Sequence, residues 1–270
     1  MKSENIKNVV KEKYTQIARE NNANNPSSCC GPATCCGSNL EVSMIGDEYN
    51  GIEGYNPDAD LGLGCGVPTE FAAIKAAQHV LDLGSGAGND CFVLRTLVGD
   101  KGHVTGLDFS EEMVAKARQN IKKIGHSNMH FVTGDIEAMP LEANRFDVVI
   151  SNCVLNLVPH KNKAFTEIRR VLKPGGHFCV SDVVIKGQLP EKLRADAEMY
   201  AGCVSGALEI DEYLETITKS GFHNIEVHKQ RSIEIPGNIL KKYLDENDLK
   251  HFISGDKGVF SITISAFKAS

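Results

Sequence analysis

The sequence predicts an α/β fold in which a seven-stranded, mostly parallel sheet carries helices on both faces. Short apolar segments alternate with helical ones between residues 79 and 184, and this alternation is typical of a parallel sheet. A glycine-rich loop follows the first of these segments, at the place where open sheets of this kind bind their ligands. Two more strand-like segments lie near the end of the chain, and they predict an antiparallel last strand at one edge.

Length and composition restrict the class of protein. The chain of 270 residues allows one large domain or two small ones, and 41% hydrophobic with 24% charged residues is typical of a soluble globular protein. No segment approaches the ~20 consecutive apolar residues of a membrane helix, and the first residues lack the apolar part of a secretory signal. We therefore expect a cytoplasmic protein without a membrane partner. A net charge of −6 without a long basic segment argues against a nucleic-acid partner.

The part of the chain before the alternating pattern is expected to contain two helices and a long irregular region. Apolar residues at near-helical spacing among lysines and glutamates predict a surface helix over residues 3–20. Residues 21–40 are rich in asparagine, serine, glycine and cysteine, so they predict a loop. Glycines keep the chain irregular as far as Pro68, which suits the first turn of a helix that runs to about Gln78.

The alternating part predicts five strands and three helices. Ser110 is the type of residue that caps a helix, and two glutamates follow it in the first turn. The other two helices are expected after the glycine loop, to about Val98, and over residues 161–172, where a Pro-Gly-Gly turn ends the helix. The strands are predicted at residues 79–83, 103–109, 129–133, 146–151 and 177–184.

The end of the chain departs from the alternation. Strands are expected at residues 224–229 and 259–267, and two inserted helices are expected over 187–220. We therefore predict an N-terminal helix and cysteine-rich segment over residues 1–48. The remainder, 49–270, is predicted to form one main domain, with the helical insertion covering one edge of its sheet.

The glycine-rich loop has the sequence G-S-G-A-G at residues 84–88. A dinucleotide-binding loop has a further glycine one position later, where this chain has Asn89. Asp82 precedes the loop, and an acid this close suits a cationic ligand better than a diphosphate, because like charges repel. Asp108 ends the second strand, 20 residues after Gly88, at the distance expected of an acid that binds vicinal ribose hydroxyls.

This pattern is completed by a pair of residues that follow the third strand. Asp135 and Ile136 suit the amine and the apolar ring of an adenine. Together with K-P-G-G at residues 173–176, these features resemble the S-adenosylmethionine-dependent methyltransferases of Rossmann-like fold, over about residues 65–185. The resemblance implies S-adenosylmethionine as cofactor. The residues expected to bind it are Asp82, Gly84, Ser85, Gly86, Asp108, Phe109, Asp135, Ile136 and Asn152.

Nine cysteines are unusual for a chain expected in a reducing compartment. A cysteine that forms no disulfide is most often a small buried hydrophobic residue, and Cys91 and Cys179 fit that description. Cys65 differs because glycines flank it in a loop. Cys153 follows the fourth strand at the ligand-binding edge of the sheet, and Cys203 lies in the predicted helical insertion.

The contexts of these three cysteines resemble the arsenite methyltransferases. The shared patterns are D-L-G-L-G-C-G-x-P-T around Cys65, S-N-C-V-x-N-L around Cys153 and A-x-C-x-x-G-A-L around Cys203. With them the resemblance extends over about residues 50–210. It implies that the three thiolates bind trivalent arsenic, which is a soft centre that thiolates select. The arsenic lone pair is then the nucleophile, and because it carries no proton, the protein has little need of a general base.

The resemblance also implies a redox role for a fourth cysteine, upstream of the glycine loop. Methylation leaves arsenic pentavalent, and members of the family are thought to reduce it with their own thiols. Cys36, or its neighbour Cys35, is the residue expected to take part. The implied partners are arsenite or its glutathione or other thiol conjugate as substrate, and a thioredoxin-type reductant. A monomer is the default expectation for the oligomeric state.

Several alternatives remain open from the residues alone. The cysteines between Cys29 and Cys36 are compatible with arsenite capture or thiol relay, with a zinc site, or with no function. The whole chain is compatible with a carbon or oxygen methyltransferase of a quinone or lipid precursor, in which the cysteines are structural. It is also compatible with a non-catalytic thiol–metalloid binding protein, and less so with a dinucleotide oxidoreductase, because the loop lacks the glycine at position 89.

Overall fold

The structure is a computed structural model that describes residues 3–20, 49, 51–187, 206–233 and 258–270. The cysteine-rich segment, with Cys35 and Cys36, lies outside these residues, as does Cys203. Residues 188–205, which make up more than half of the segment in which two helices are expected, are also outside them.

The described residues form a seven-stranded sheet in the order β3-β2-β1-β4-β5-β7-β6. Strands β1 to β5 are parallel to one another, and β7 pairs antiparallel with both β5 and β6. This confirms the mostly parallel sheet with an antiparallel last strand. The strands are β1 (His79–Leu83), β2 (His103–Asp108), β3 (Met129–Thr133), β4 (Phe146–Asn152), β5 (Leu172–Lys186), β6 (Phe222–Ile233) and β7 (Gly258–Lys268).

Helices cover both faces of the sheet. The hydroxyl of Ser110 accepts a 3.3 Å hydrogen bond from the backbone amide of Met113, so Ser110 is the predicted N-cap of its helix. Of the helices in the described ranges, none combines the length and apolar character that crossing a membrane requires. The helices are α1 (Ser3–Glu20), α2 (Asn89–Val98), α3 (Glu111–Ile124), α4 (Lys161–Val171) and α5 (Ile210–Lys219).

Each face of the sheet has its own apolar core. Phe165 of α4 and Tyr213 of α5 pack on one face, beside Phe178 of β5. Phe92 of α2 packs on the other face, with Phe131 of β3. Full burial of such a ring stabilises a fold by roughly 1.5–3 kcal/mol. Because both faces are covered, polar side chains on the central strands collect at the strand ends.

The prediction of a helix from Pro68 to about Gln78 is wrong. Only a single 3-10 turn forms, Pro68–Glu70, and the chain then turns back towards the sheet. Ala73 and Ala77 adopt positive φ values of 46° and 67°, which a right-handed helix does not allow. The amide of Ala77 bonds instead to the carbonyl of Val98, at 2.8 Å. A partner distant in sequence therefore replaces the helical bond.

The fifth strand begins earlier than the sequence predicts. Its pairing with β4 starts at Leu172 and resumes at His177, so the residues between them form an irregularity within the strand. Gly175, with φ 74°, permits this bulge. Lys173 in the bulge donates 2.8 Å hydrogen bonds to both carboxylate oxygens of Asp147. The predicted turn thus exists, but inside the strand.

Candidate active site

A cavity of about 360 Å³ opens at the carboxyl ends of the central strands, within the size range of small-molecule sites. The glycine loop after β1 and residues of α1 form parts of its wall. The structure brings all nine residues expected to bind the cofactor to this wall, and Cys153 with them.

The glycine loop exposes its backbone to the cavity. Gly84 and Gly86 have φ values of 67° and 51°, in the left-handed region that favours glycine. A β-carbon at Gly84 would overlap the side chain of Val154, so only glycine fits there. A β-carbon at Gly86 would meet no atom within 4 Å, because it would project into open space. A ligand can therefore approach the main chain at Gly86.

The carboxylate of Asp108 is held in one orientation at the end of β2. One oxygen accepts from the amide of Gly86 at 2.9 Å, and the other accepts from the amide of Ser110 at 2.8 Å. The amide of Phe109 also stabilises this carboxylate, and the lone pair that remains can accept a hydrogen bond from a ligand hydroxyl. Burial raises the pKa of Asp108 to about 6, against the effect of these amides. This geometry suits a ribose with two adjacent hydroxyls.

Two more buried carboxylates lie beside the loop. Burial and the charge of Asp90 raise the pKa of Asp82 well above its usual value, and the thiol of Cys91 donates to Asp82 at 3.2 Å. Burial also raises the pKa of Asp90 to about 6, although it accepts a 2.6 Å bond from the hydroxyl of Tyr49. A bound cation would favour the ionised form of all these acids, because opposite charges stabilise each other.

Asp90 and Tyr49 were not singled out by the sequence. Asp90 is the second residue of α2. Acids are common in the first turn of a helix because they stabilise its N-terminus, so the sequence alone does not distinguish a structural from a binding role for Asp90. Tyr49 lies far from the loop in sequence, and we know of no local pattern that would have identified it. Cys91 was assigned no role, and its bond to Asp82 gives it a structural one beneath the site.

The first helix closes one side of the cavity, which the sequence did not predict. Lys7, Val10 and Tyr14 of α1 line it. The ammonium group of Lys7 lies 2.6 Å from Asp135, the residue expected to bind the adenine amine. Ile17 and Ala18 of α1 pack with Met113 of α3, so apolar contacts also hold the helix in place.

Two residues of the cavity wall carry a buried side-chain oxygen without a hydrogen-bond partner among the described residues. Within the described part of the chain, the buried side-chain oxygens of Ser85 and Asn89 have no hydrogen-bond partner. Such atoms normally find one, so their isolation here indicates a ligand or water. Three further features of the wall suit a ligand: the open backbone at Gly86, the fixed carboxylate of Asp108 and the acids near the loop. The residues present therefore fit S-adenosylmethionine, a nucleoside that carries a positive charge on sulfur.

Cys153 lies in the cavity wall in an unusual backbone conformation. Its φ is 59°, which a residue other than glycine adopts at a cost of about 1 kcal/mol or more. The amide of Cys153 donates to the carbonyl of Ser181 at 2.8 Å, which holds the residue at the end of β4. Strain of this kind is concentrated at functional sites.

Cys65 is a buried thiol next to this wall. It is 1% exposed, and its neighbour Gly64 lines the cavity. Its amide donates to the side chain of Asn152 at 3.0 Å, and its carbonyl accepts from the hydroxyl of Ser261. Burial and Asp182 raise the pKa of Tyr213 well above its usual value, and Cys65 and Cys153 add to this to a smaller extent.

Cys179 is an interior thiol, as the sequence predicts. Burial raises its pKa to about 12, and its thiol donates to the carbonyl of Pro68 at 3.4 Å. Such a thiol stays protonated and does not act as a ligand. It therefore provides a control for the cysteines near the cavity.

Comparison with known proteins places the chain among methyltransferases. The profile of a family described as "Methyltransferase domain" matches residues 74–226. The arsenite methyltransferase of Halobacterium salinarum is 38% identical over 235 residues, which are 83% of this chain and 59% of that protein. The arsenite methyltransferase of Aquipseudomonas alcaligenes is 35% identical over 212 residues, which are 76% of this chain and 58% of that protein. The chain therefore spans less than two-thirds of the length of these curated relatives.

A solved structure adds to these relatives. The crystal structure of an arsenic(III) S-adenosylmethionine methyltransferase from Chlamydomonas reinhardtii superimposes with a TM-score of 0.64 at 36% identity. The match covers 76% of this chain and 68% of that one.

Proposed function

Because this chain belongs to the family of arsenite S-adenosylmethionine methyltransferases, we propose that it transfers the methyl group of S-adenosylmethionine to trivalent arsenic. The products are methylated arsenicals, and the reaction detoxifies arsenic. The observation that carries the proposal is the position of Cys153 in the wall of the cavity that the glycine loop and its acids form.

Three thiolates hold the arsenic in this proposal: Cys65, Cys153 and Cys203. Each As–S bond that forms replaces an As–O bond of arsenite, and the thiol proton leaves with that oxygen as water. Three sulfur ligands form a pyramid, which leaves the arsenic lone pair exposed. The burial of Cys65 and Cys153 supports this role, because it excludes water from the bound metalloid.

The donor cavity orients the reacting groups. S-adenosylmethionine supplies a methyl group bonded to a positively charged sulfur. Asp108 accepts hydrogen bonds from the ribose hydroxyls. Asp135 and Ile136 bind the adenine, and Asp82 lies near the positive charge on sulfur. The arsenic lone pair would attack the methyl carbon as the carbon–sulfur bond breaks, and S-adenosylhomocysteine would leave with the electron pair of that bond. Positioning provides most of the acceleration, since neither reacting atom has to lose a proton.

The redox step returns arsenic to the trivalent state. Methyl transfer oxidises arsenic by two electrons, and two thiols restore these electrons by forming a disulfide. Cys36 or Cys35 supplies one of the thiols, and a thioredoxin-type reductant then reduces the disulfide. Arsenite enters free or as its glutathione conjugate. The cycle suits a reducing compartment such as the cytoplasm, and one copy of the chain supplies every ligand.

Arsenic speciation by mass spectrometry tests the proposal. The purified protein is incubated with S-adenosylmethionine, arsenite and a thiol reductant, and methylated arsenicals are expected. Cys153→Ser should abolish them, whereas Cys179→Ala, which removes an interior thiol, should not. Cofactor binding without methylated arsenic in the unmodified protein would overturn the proposal and favour a carbon or oxygen acceptor. Tight arsenite binding without turnover would favour a binding protein.

A further inference from the structure

We propose that Tyr49 and Asn152 are positioning residues that hold the Cys65 loop, Gly64–Cys65–Gly66, against the donor cavity. The inference rests on the proposed function only where it takes Cys65 as an arsenic ligand. Neither role follows from the sequence motifs, which placed Asn152 among the cofactor-binding residues and left Tyr49 without a role.

The amide side chain of Asn152 is committed to the Cys65 loop. Its oxygen accepts from the amide of Cys65 at 3.0 Å, and its nitrogen donates to the carbonyl of Gly66 at 2.8 Å. These two hydrogen bonds fix the backbone on both sides of the Cys65 side chain. A β-carbon at Gly64 would lie 2.8 Å from the Asn152 nitrogen, so the loop packs directly on this amide. Asn152 thus ties the thiol loop to the end of β4.

Tyr49 connects this amide to the donor cavity. Its hydroxyl donates to Asp90 at 2.6 Å and accepts from the Asn152 nitrogen at 2.8 Å. The same hydroxyl lies 3.3 Å from the carbonyl oxygen of Gly66. The residue is 6% exposed, so water does not substitute readily for these bonds. Asp90 lines the cavity, which places one phenol between the donor site and the thiol loop.

The loop is also supported from the opposite side. The hydroxyl of Ser261 on β7 donates to the carbonyl of Cys65. A β-carbon at Gly66 would lie 2.5 Å from the hydroxyl of Ser181, so β5 supports the loop from below. Loss of the Tyr49 hydroxyl therefore leaves other anchors in place. We expect the fold to persist in Tyr49→Phe while the position of the Cys65 thiol becomes less restricted.

Alkylation of individual cysteines tests this inference without relying on arsenic chemistry. The full chain and Tyr49→Phe are treated with iodoacetamide, and the labelling rate of each cysteine is followed by peptide mass spectrometry. We expect Cys65 to label about tenfold faster in the variant, the change that loss of one buried hydrogen bond produces. Cys179 should label at an unchanged rate. Faster labelling of Cys179 as well would mean general loosening and would overturn the inference.

Ligand affinities provide the second readout. Tyr49→Phe should raise both the dissociation constant and the KM of arsenite about tenfold. It should leave the dissociation constant of S-adenosylhomocysteine, which lacks the positive charge and so depends less on Asp90, within about twofold. Tyr55→Phe is the matched control, because its hydroxyl bonds to Asp60 at 3.0 Å instead of to Asn152. An equal loss of both affinities, or an unchanged arsenite affinity, would contradict a role in positioning Cys65.

The two proposals fail separately in these experiments. If the unmodified protein neither binds nor methylates arsenite, but Tyr49→Phe still accelerates Cys65 labelling, the proposed function fails and the positioning role stands. If the protein methylates arsenite and Tyr49→Phe changes nothing, the positioning role fails alone. Should Tyr49→Phe not fold, Asn152→Ser is measured by cysteine labelling alone: faster labelling of Cys65 with unchanged labelling of Cys179 supports the inference, and any other result overturns it.

Discussion

The ammonium nitrogen of Lys7 lies 2.6 Å from a carboxylate oxygen of Asp135 and 2.9 Å from one of Glu137. The pair joins the first helix to the loop after β3, beside the candidate donor cavity. Burial lowers the pKa of Lys7, but the bonds and charges of its two partners outweigh burial and raise it. The first helix is therefore attached to the site by charge as well as by apolar packing.

We predict that Lys7→Met weakens donor binding. The pair is partly exposed, with side-chain accessibilities of 31% and 47% for Lys7 and Asp135, so the effect should be modest. The dissociation constant of S-adenosylhomocysteine should rise about twofold to fivefold at low salt. Titration calorimetry at about 0.05 M and about 0.5 M salt should show that high salt removes most of this difference. Lys123→Met, which breaks an exposed pair with Asp58, is the control. Donor affinity that matches the unmodified protein at both salt concentrations would contradict the prediction.

Donor binding should strengthen as the pH rises. The pKa values of Asp90 and Asp108 are raised to about 6, so both are largely protonated at low pH. A cationic donor prefers the ionised acids, and the dissociation constant of S-adenosylmethionine should fall about tenfold from about pH 5 to about pH 7. S-adenosylhomocysteine lacks the positive sulfur and should show a shallower dependence. Parallel profiles for the two ligands, or a flat profile, would mean that these acids do not respond to the donor's charge.

Gly86→Ala should weaken donor binding because its β-carbon occupies part of the cavity, and not because the fold is destabilised. Gly86 and Gly125 both have positive φ values, 51° and 82°, and a β-carbon at either meets no atom within 4 Å. Each alanine should therefore cost about 1 kcal/mol of the free energy of unfolding. Only the β-carbon at Gly86 enters the cavity, so only Gly86→Ala should raise the donor dissociation constant, by about tenfold or more. Urea denaturation and calorimetry separate the two effects, and equal donor affinities would disprove the assignment.

Tyr213→Phe should destabilise the protein in a pH-dependent way. The hydroxyl of Tyr213 donates to the buried Asp182 at 2.8 Å, and burial raises the pKa of Asp182 to about 6. Because this bond favours the carboxylate, its loss raises that pKa further. The free energy of unfolding should fall by about 1–3 kcal/mol at about pH 7.5 and by less at about pH 5, where Asp182 is already protonated. Denaturant titrations at both pH values check this, and Tyr55→Phe, with a less buried hydroxyl, is the control. Equal losses at the two pH values would contradict the prediction.

Much of the fold could be predicted because it is encoded locally. The alternation of short apolar segments with amphipathic ones located the five parallel strands β1 to β5, since buried parallel strands need continuous apolar runs. The chain between Pro68 and Gln78 could not be predicted in this way. The amide of Ala77 bonds to Val98, and such a partner is invisible to a window of neighbouring residues.

The candidate site also has a part that the local sequence predicts and a part that it does not. The glycine loop and the acids at the ends of β1, β2 and β3 were predictable, because the topology of an open parallel sheet brings the carboxyl ends of its strands together. By itself, the sequence determined the sheet, this edge and the cysteines of interest. Only the tertiary structure decided that Lys7 reaches Asp135, that Tyr49 reaches Asp90 and that Asn152 holds the Cys65 loop. These contacts join segments distant in the chain, and only the packing of the whole core sets the distances between them.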